Sequence, residues 1–253
     1  MFFVSACSTH SLHRNEKQSQ LHFQVGLSHF EDRDYPQALS EFQRALELDE
    51  GSSSILMHIG LAYLKMDKLE QAETRVRQAC TLKEAFPECW NNLAYIQLRQ
   101  HEPNKAAISA QKALAFDTYQ TPEIAYENLS RAQIDLKQYA PARKNLEKAL
   151  RIRPESCELR MTSALLLVRQ GDFDEALRES KRTVFLCKLD PRAHLWEAYC
   201  EYRLGNRSLA EKKYNEILDL FNRADAADAA RVAIDRLKNR IPLEEPPQML
   251  GDS

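Results

Sequence analysis

Ile59-Gly60-Leu61-Ala62-Tyr63-Leu64-Lys65-Met66-Asp67-Lys68-Leu69-Glu70-Gln71-Ala72 sets one small residue, Gly60, twelve positions before another, Ala72. The rest of the chain repeats that interval. Alanines stand at Ala38, Ala72, Ala106, Ala142, Ala176 and Ala210, spaced 34, 34, 36, 34 and 34 residues apart. Twelve positions before each stand Gly26, Gly60, Ala94, Ser130, Ala164 and Ala198. Seven positions after the first four come Ala45, Ala79, Ala113 and Ala149, with Thr183 and Ile217 in the last two units, while bulky Phe42, Leu146 and Tyr214 lie four after. A fixed period of this length marks a stack of supersecondary units. Two small residues per unit let paired helices approach closely. The remaining apolar positions fill the space between one unit and the next, because no single unit buries its own face. An ordinary bundle of alanine-rich helices has no cause to keep one register along the whole chain.

Composition agrees with helices. The chain has 253 residues, 43% hydrophobic and 28% charged, with six glycines and a formal net charge of -2. The scarcity of glycine and the lack of alternating apolar runs argue against a sheet. Nothing in the near-neutral charge suggests a nucleic-acid binder held by general electrostatics, and no nucleic-acid partner is expected. No segment reaches the length needed to span a bilayer.

The pattern resembles the tetratricopeptide repeat, a helix–turn–helix of 34 residues, over residues 19–224. The resemblance implies an all-α, right-handed α-solenoid of about six repeats. The predicted helices of repeat one break at Glu31-Asp32-Arg33-Asp34 and those of repeat two at Met66-Asp67-Lys68. The 36-residue interval predicts a longer connection near Asp117–Pro122. Repeats five and six drift from the consensus, with Ser180 and Thr183 at positions that call for apolar residues, so looser packing is expected there. Residues 225–239 read as an amphipathic capping helix. The proline-bearing tail at 240–253 is expected to be disordered.

At the other end, Val4-Ser5-Ala6-Cys7 resembles a bacterial lipobox, in which the cysteine receives lipid. Only six residues precede Cys7, short of a full signal. Residues 1–18 are therefore expected to be a truncated signal with a polar, unpatterned tether. Five further cysteines, Cys80, Cys89, Cys157, Cys187 and Cys200, cannot all pair internally. Cys80 with Cys89 and Cys157 with Cys187 each stand close enough in the expected hairpins for a disulfide in an oxidising compartment. Buried thiols acting as small hydrophobes are the competing reading.

No phosphate loop or nucleophile signature is present, and the scattered histidines lack the spacing of a metal site. The chain is expected to be no enzyme and to take no cofactor. In the tetratricopeptide consensus the concave groove is lined three before, one after and four after the small residue of each first helix. That register, with neighbouring turns of the same face, assigns a partner-binding groove to Phe23, Leu27, Phe30, Met57, Leu61, Asn91, Asn92, Tyr95, Arg99, Glu127, Asn128, Arg131 and Tyr199. Apolar residues lead and amides with arginines follow, an order suited to an extended or helical peptide.

A lipobox, a short tether and six repeats, with the longer connection before Tyr126-Glu127-Asn128-Leu129, together resemble the PilF/PilW/Tgl family of outer-membrane lipoproteins. Pro122–Leu150 is the most similar part. The resemblance implies a pilotin that binds a type IV pilus secretin subunit and promotes its assembly, held at the periplasmic face of the outer membrane by lipid on Cys7 alone. The alternatives are a lipid-anchored or periplasmic scaffold for another envelope complex, and a cytoplasmic adaptor subunit of an enzyme complex. The oligomeric state stays open.

Overall fold

The computed structural model of the chain describes residues 6–83, 86–221 and 225–243. Among the described residues there are thirteen helices and no strand, an all-α repeat architecture. The chain divides into two compact units, Met1–Ala132 and Gln133–Ser253.

The first unit pairs α1 (Ala6–Glu31) with α2 (Tyr35–Leu48), α3 (Ser53–Lys65) with α4 (Leu69–Leu82), and α5 (Pro87–Arg99) with α6 (Pro103–Leu114). It runs on into α7 (Pro122–Asp135), inside which the division falls. The second unit holds α8 (Tyr139–Ile152), the hairpin of α9 (Cys157–Gln170) and α10 (Phe173–Leu186), and that of α11 (Pro191–Arg203) and α12 (Arg207–Leu220). α13 (Asp225–Lys238) packs on α12. Helix starts carry local signals: Ser52, Ser156 and Asp190 accept backbone N–H groups of the first turn, and prolines occupy the first turns of α2, α5, α6 and α11.

Within each unit the alanine ladder sits where the two helices of a hairpin cross. Ala38, Ala72, Ala106, Ala142, Ala176 and Ala210 are all fully buried, as are the residues twelve before them. A Cβ built on Gly60 would lie 2.4 Å from Val76 Cγ2, and one on Gly26 would lie 2.6 Å from the Phe42 ring. No methyl group fits at either crossing. Ser130 satisfies its buried hydroxyl by donating to the Tyr126 carbonyl at 2.7 Å.

Every hairpin turns the same way. Five residues before each ladder alanine the backbone is left-handed: Arg33, Asp67, His101 and Lys137 with φ of 62, 57, 58 and 59°, then Gly171 and Gly205 with φ of 86 and 85°. In each, the next residue's N–H reaches back five residues, as in Asp34 to the His29 carbonyl and Gln138 to the Gln133 carbonyl. The left-handed residue's own N–H reaches back three, which completes a Schellman cap.

Three expectations are corrected. The stretch 8–18, read as an unpatterned tether, belongs to α1, and just beyond it buried Ser19 donates to the Ala45 carbonyl at 2.8 Å. The tail is packed as far as Leu243, which is buried and whose N–H donates to the Tyr202 hydroxyl at 3.2 Å. Repeat five is not opened by its polar residues, because the Ser180 and Thr183 hydroxyls donate to the Ala176 and Glu179 carbonyls at 2.8 Å each and both side chains are buried. Val4, Ser5, the Cys7 side chain and residues 244–253 lie outside what is described.

Candidate protein-binding face

The groove positions of the first unit lie on α1, α3, α5 and α7, and successive helices are joined by a repeated diagonal contact. His58 meets the Phe23 ring edge-on at 5.0 Å between centroids, Asn92 Nδ2 donates to Met57 Sδ at 3.5 Å, and Asn128 Nδ2 donates to Asn91 Oδ1 at 2.9 Å. In each pair, the residue two before one small residue meets the residue three before the preceding one. The diagonal uses up part of the predicted groove. Asn91 and Asn128 are 7% and 4% exposed, so their amides hold two helices together rather than await a peptide backbone.

The apolar half of the groove is partly sunk as well. Phe23, Leu27 and Phe30 pack on the core of Ala38, Phe42 and Ile59, while Met57 is buried and Leu61 half-buried against Val76 and Leu93. What remains accessible is a strip of half-buried side chains: Leu27 and Leu61, then Asn92, Tyr95 and Arg99, then Glu127 and Arg131. Arg99 Nη2 donates to Asp67 Oδ1 at 2.9 Å, which fixes its guanidinium toward the α3–α4 turn. An apolar strip flanked by guanidinium groups has the chemistry that complements apolar and acidic side chains.

Tyr199 is not a groove residue. It is fully buried in the core of the second unit with Trp196, Tyr214 and Leu237, and its hydroxyl accepts from Arg203 Nη1 at 2.7 Å. The physical reason is the C-terminal cap: α13 and the segment to Leu243 supply apolar partners to α11.

Several ionisable groups are engaged in packing and hydrogen bonding. Glu41 is held below the usual carboxylate range, first by its hydrogen bond with His22 at 2.6 Å. Burial beside Phe23 and Phe42 pushes the His58 imidazole down, against the opposing pull of the Ser54 carbonyl. In the second unit the buried carboxylate of Glu201 takes Lys181 Nζ at 3.1 Å and Asn206 Nδ2 at 2.8 Å. Among the described residues no group of three or more His, Cys, Asp or Glu is placed to hold a metal ion. No helix among them is long and apolar enough to cross a membrane.

Both candidate cysteine pairs are closed. Cys80–Cys89 joins α4 to α5 with Cα atoms 5.6 Å apart, and Cys157–Cys187 joins the start of α9 to the end of α10 at 6.1 Å. Cys200 is a buried free thiol that burial pushes up to about 11, so it behaves as a small hydrophobe.

The groove register overlooked His58, the third member of the diagonal, and the exposed Phe185 and Leu189 beside Cys187. A signal for Phe185 was available. In the alanine register it shares a column with Glu47, Thr81, Ala115, Arg151 and Asp219, and every member of that column is exposed.

Comparison with known proteins agrees with this architecture. The tetratricopeptide-repeat model matches residues 23–82 and 161–239, and a second tetratricopeptide-repeat model matches 124–156. Among solved structures, PilW, a widely conserved type IV pilus biogenesis factor, superposes with a TM-score of 0.76 over 84% of this chain and 98% of its own, at 22% identity. PilF of Pseudomonas aeruginosa superposes with a TM-score of 0.68 over 87% of this chain and 99% of its own, at 18% identity. The mouse BBSome complex member BBS4 is 24% identical over 264 residues, covering 85% of this chain. The chain spans 50% of that relative's length.

Proposed function

The chain belongs to the tetratricopeptide-repeat family, and from that premise we propose that it is a protein-binding scaffold, not an enzyme, serving a type IV pilus as an outer-membrane lipoprotein that helps the secretin assemble. The observation that carries this reading is the match to PilW, which takes in 98% of that chain without leaving a further domain of it unmatched. A shared fold at 22% identity does not transfer a partner, so the step to the secretin is the proposal. Two features of this chain support it. The disulfides Cys80–Cys89 and Cys157–Cys187 are of the kind that persists in exported proteins. The lipobox-like Val4-Ser5-Ala6-Cys7 lies ahead of the repeats.

The partner-binding surface in this proposal is the accessible strip of α1, α3, α5 and α7, with Leu27 and Leu61 as apolar anchors and Arg99 and Arg131 as polar clamps. The test uses the protein expressed from its native locus. Deleting it should abolish heat-stable secretin multimers, and Cys7→Ser should move the protein from outer membrane to periplasm. Leu27→Asp and Arg131→Ala, each shown by circular dichroism to stay folded, should weaken co-purification of secretin by about tenfold, the range of a hot-spot contact. Normal multimers in the deletion strain would exclude the secretin as the client.

A further inference from the structure

The junction between α10 and α11 carries two large apolar side chains in open solvent, Phe185 at 72% and Leu189 at 89% exposure. Phe185 occupies a column that the other five repeats fill with Glu47, Thr81, Ala115, Arg151 and Asp219, all solvent-facing. Nothing in the repeat pattern calls for an aromatic ring there. The backbone between the two is held at several points. Cys187 is disulfide-bonded to Cys157, its N–H donates to the Thr183 carbonyl at 2.8 Å, and its carbonyl accepts from Asp190 at 2.9 Å. The Lys188 carbonyl pairs with His194 Nε2 at 3.0 Å. A pinned segment that displays apolar side chains has already met the ordering cost of a contact.

The surroundings are cationic. Arg182 and Arg178 lie one and two turns before Phe185 on the same face of α10 and are exposed, and Lys188 Nζ stands over the Phe185 ring at 5.5 Å from its centroid. Of the acids, Asp190 is held by Arg192 and Glu179 by Arg160, while Asp174 and Glu175 stand exposed in the first turn of α10, away from the tip. Two protruding apolar tips with a basic collar fit a surface that yields to them and carries negative charge, as a bilayer interface does. A folded protein partner would have to supply a matching cavity.

We propose that the Phe185–Leu189 tip is a peripheral membrane-contact site that inserts its two apolar side chains among anionic lipid headgroups while Arg178, Arg182 and Lys188 bind the phosphates. The site is independent of any lipid on Cys7. It is therefore tested with the full chain carrying Cys7→Ser, sedimented with vesicles of phosphatidylcholine alone or with about 30% phosphatidylglycerol. Binding is expected to the anionic vesicles only and to weaken with salt. The pair Phe185→Ser and Leu189→Ser should lower the vesicle association constant by about tenfold or more, as should Arg178→Glu with Arg182→Glu. Leu209→Ser, an exposed apolar position on α12, should leave it unchanged. All variants are compared by circular dichroism, so that a folding defect is separated from a lost contact. Equal binding to both vesicle types, or undiminished binding of the two paired variants, overturns the proposal. So does the absence of vesicle binding combined with a self-association, seen by analytical ultracentrifugation, that the Phe185→Ser and Leu189→Ser pair removes, since the tip would then join two copies of the chain.

Discussion

The side-chain Nδ2 of Asn128 donates to Oδ1 of Asn91 at 2.9 Å, across a sequence separation of 37 residues and with both groups buried. This bond ties α7 to α5, where the groove register alone reads two free amides. Asn128→Ala leaves the Asn91 carbonyl oxygen buried without that donor and should lower stability by about 1–3 kcal/mol in urea unfolding. Arg131→Ala, half-exposed on the same helix, should change stability by less than about 0.5 kcal/mol. Equal effects would show that Asn128 is not a structural amide.

The ladder crossings have no spare volume. Gly60→Ala places a methyl 2.4 Å from Val76 Cγ2 and 3.1 Å from the Ala72 carbonyl oxygen, and should destabilise by about 1–3 kcal/mol through forced displacement of α4. Ala142→Leu, at the fully buried ladder position of α8, should cost a similar amount. A neutral Gly60→Ala, measured by thermal unfolding, would contradict the close approach of α3 and α4.

The six turns invite an opposed pair of substitutions. Lys137 holds φ at 59° with a Cβ, and Lys137→Gly should raise stability by about 0.5–1 kcal/mol. Gly171, at φ of 86° with nothing within 4 Å of a built Cβ, should lose about 1 kcal/mol on conversion to alanine from backbone strain alone. The signs of the two shifts in unfolding midpoint are the check.

The disulfides close loops of different length. In the chain-entropy description, the 30-residue separation of Cys157–Cys187 corresponds to about 3.5 kcal/mol and the 9-residue separation of Cys80–Cys89 to about 2.5 kcal/mol. Paired serine substitutions should therefore cost more at the first site. Reductant should lower the unfolding temperature of the native chain and leave a chain with all four of these cysteines changed to serine unaffected.

Acid should weaken the first unit through His58. Its folded-state pKa is depressed by burial, so above the unfolded value of about 6.5 both states are neutral and the full stability is present. As pH falls below about 6.5 the unfolded chain takes up the proton first and stability declines. His58→Phe, which keeps an aromatic ring between Phe23 and Phe42, should flatten the unfolding midpoint between about pH 7 and pH 5.5. An unchanged slope would place the titration elsewhere.

Much of this molecule is legible in its sequence. The period of Ala38, Ala72, Ala106, Ala142, Ala176 and Ala210, with small residues twelve before each, identified the hairpins, because a methyl-sized side chain at a helix crossing is a local requirement that the sequence states outright. The proximity of each cysteine pair is readable for the same reason, since the partners lie within one hairpin or across one connection, but the choice between disulfide and buried thiols is decided by the structure.

What only the tertiary structure decided is which side chains of the shared face meet one another. Asn91 and Asn128 read as free amides because their partnership lies between repeats, and Tyr199 read as a groove residue because its cover comes from α13 and Leu243, remote in sequence. The left-handed turns divide the same way. Gly171 and Gly205 announce themselves, whereas Arg33, Asp67, His101 and Lys137 adopt the same backbone because the packing of two helices imposes it. Periodicity reports what each repeat needs from its own chain. Burial at a given position depends on which neighbour arrives there, and that is settled only when the helices pack.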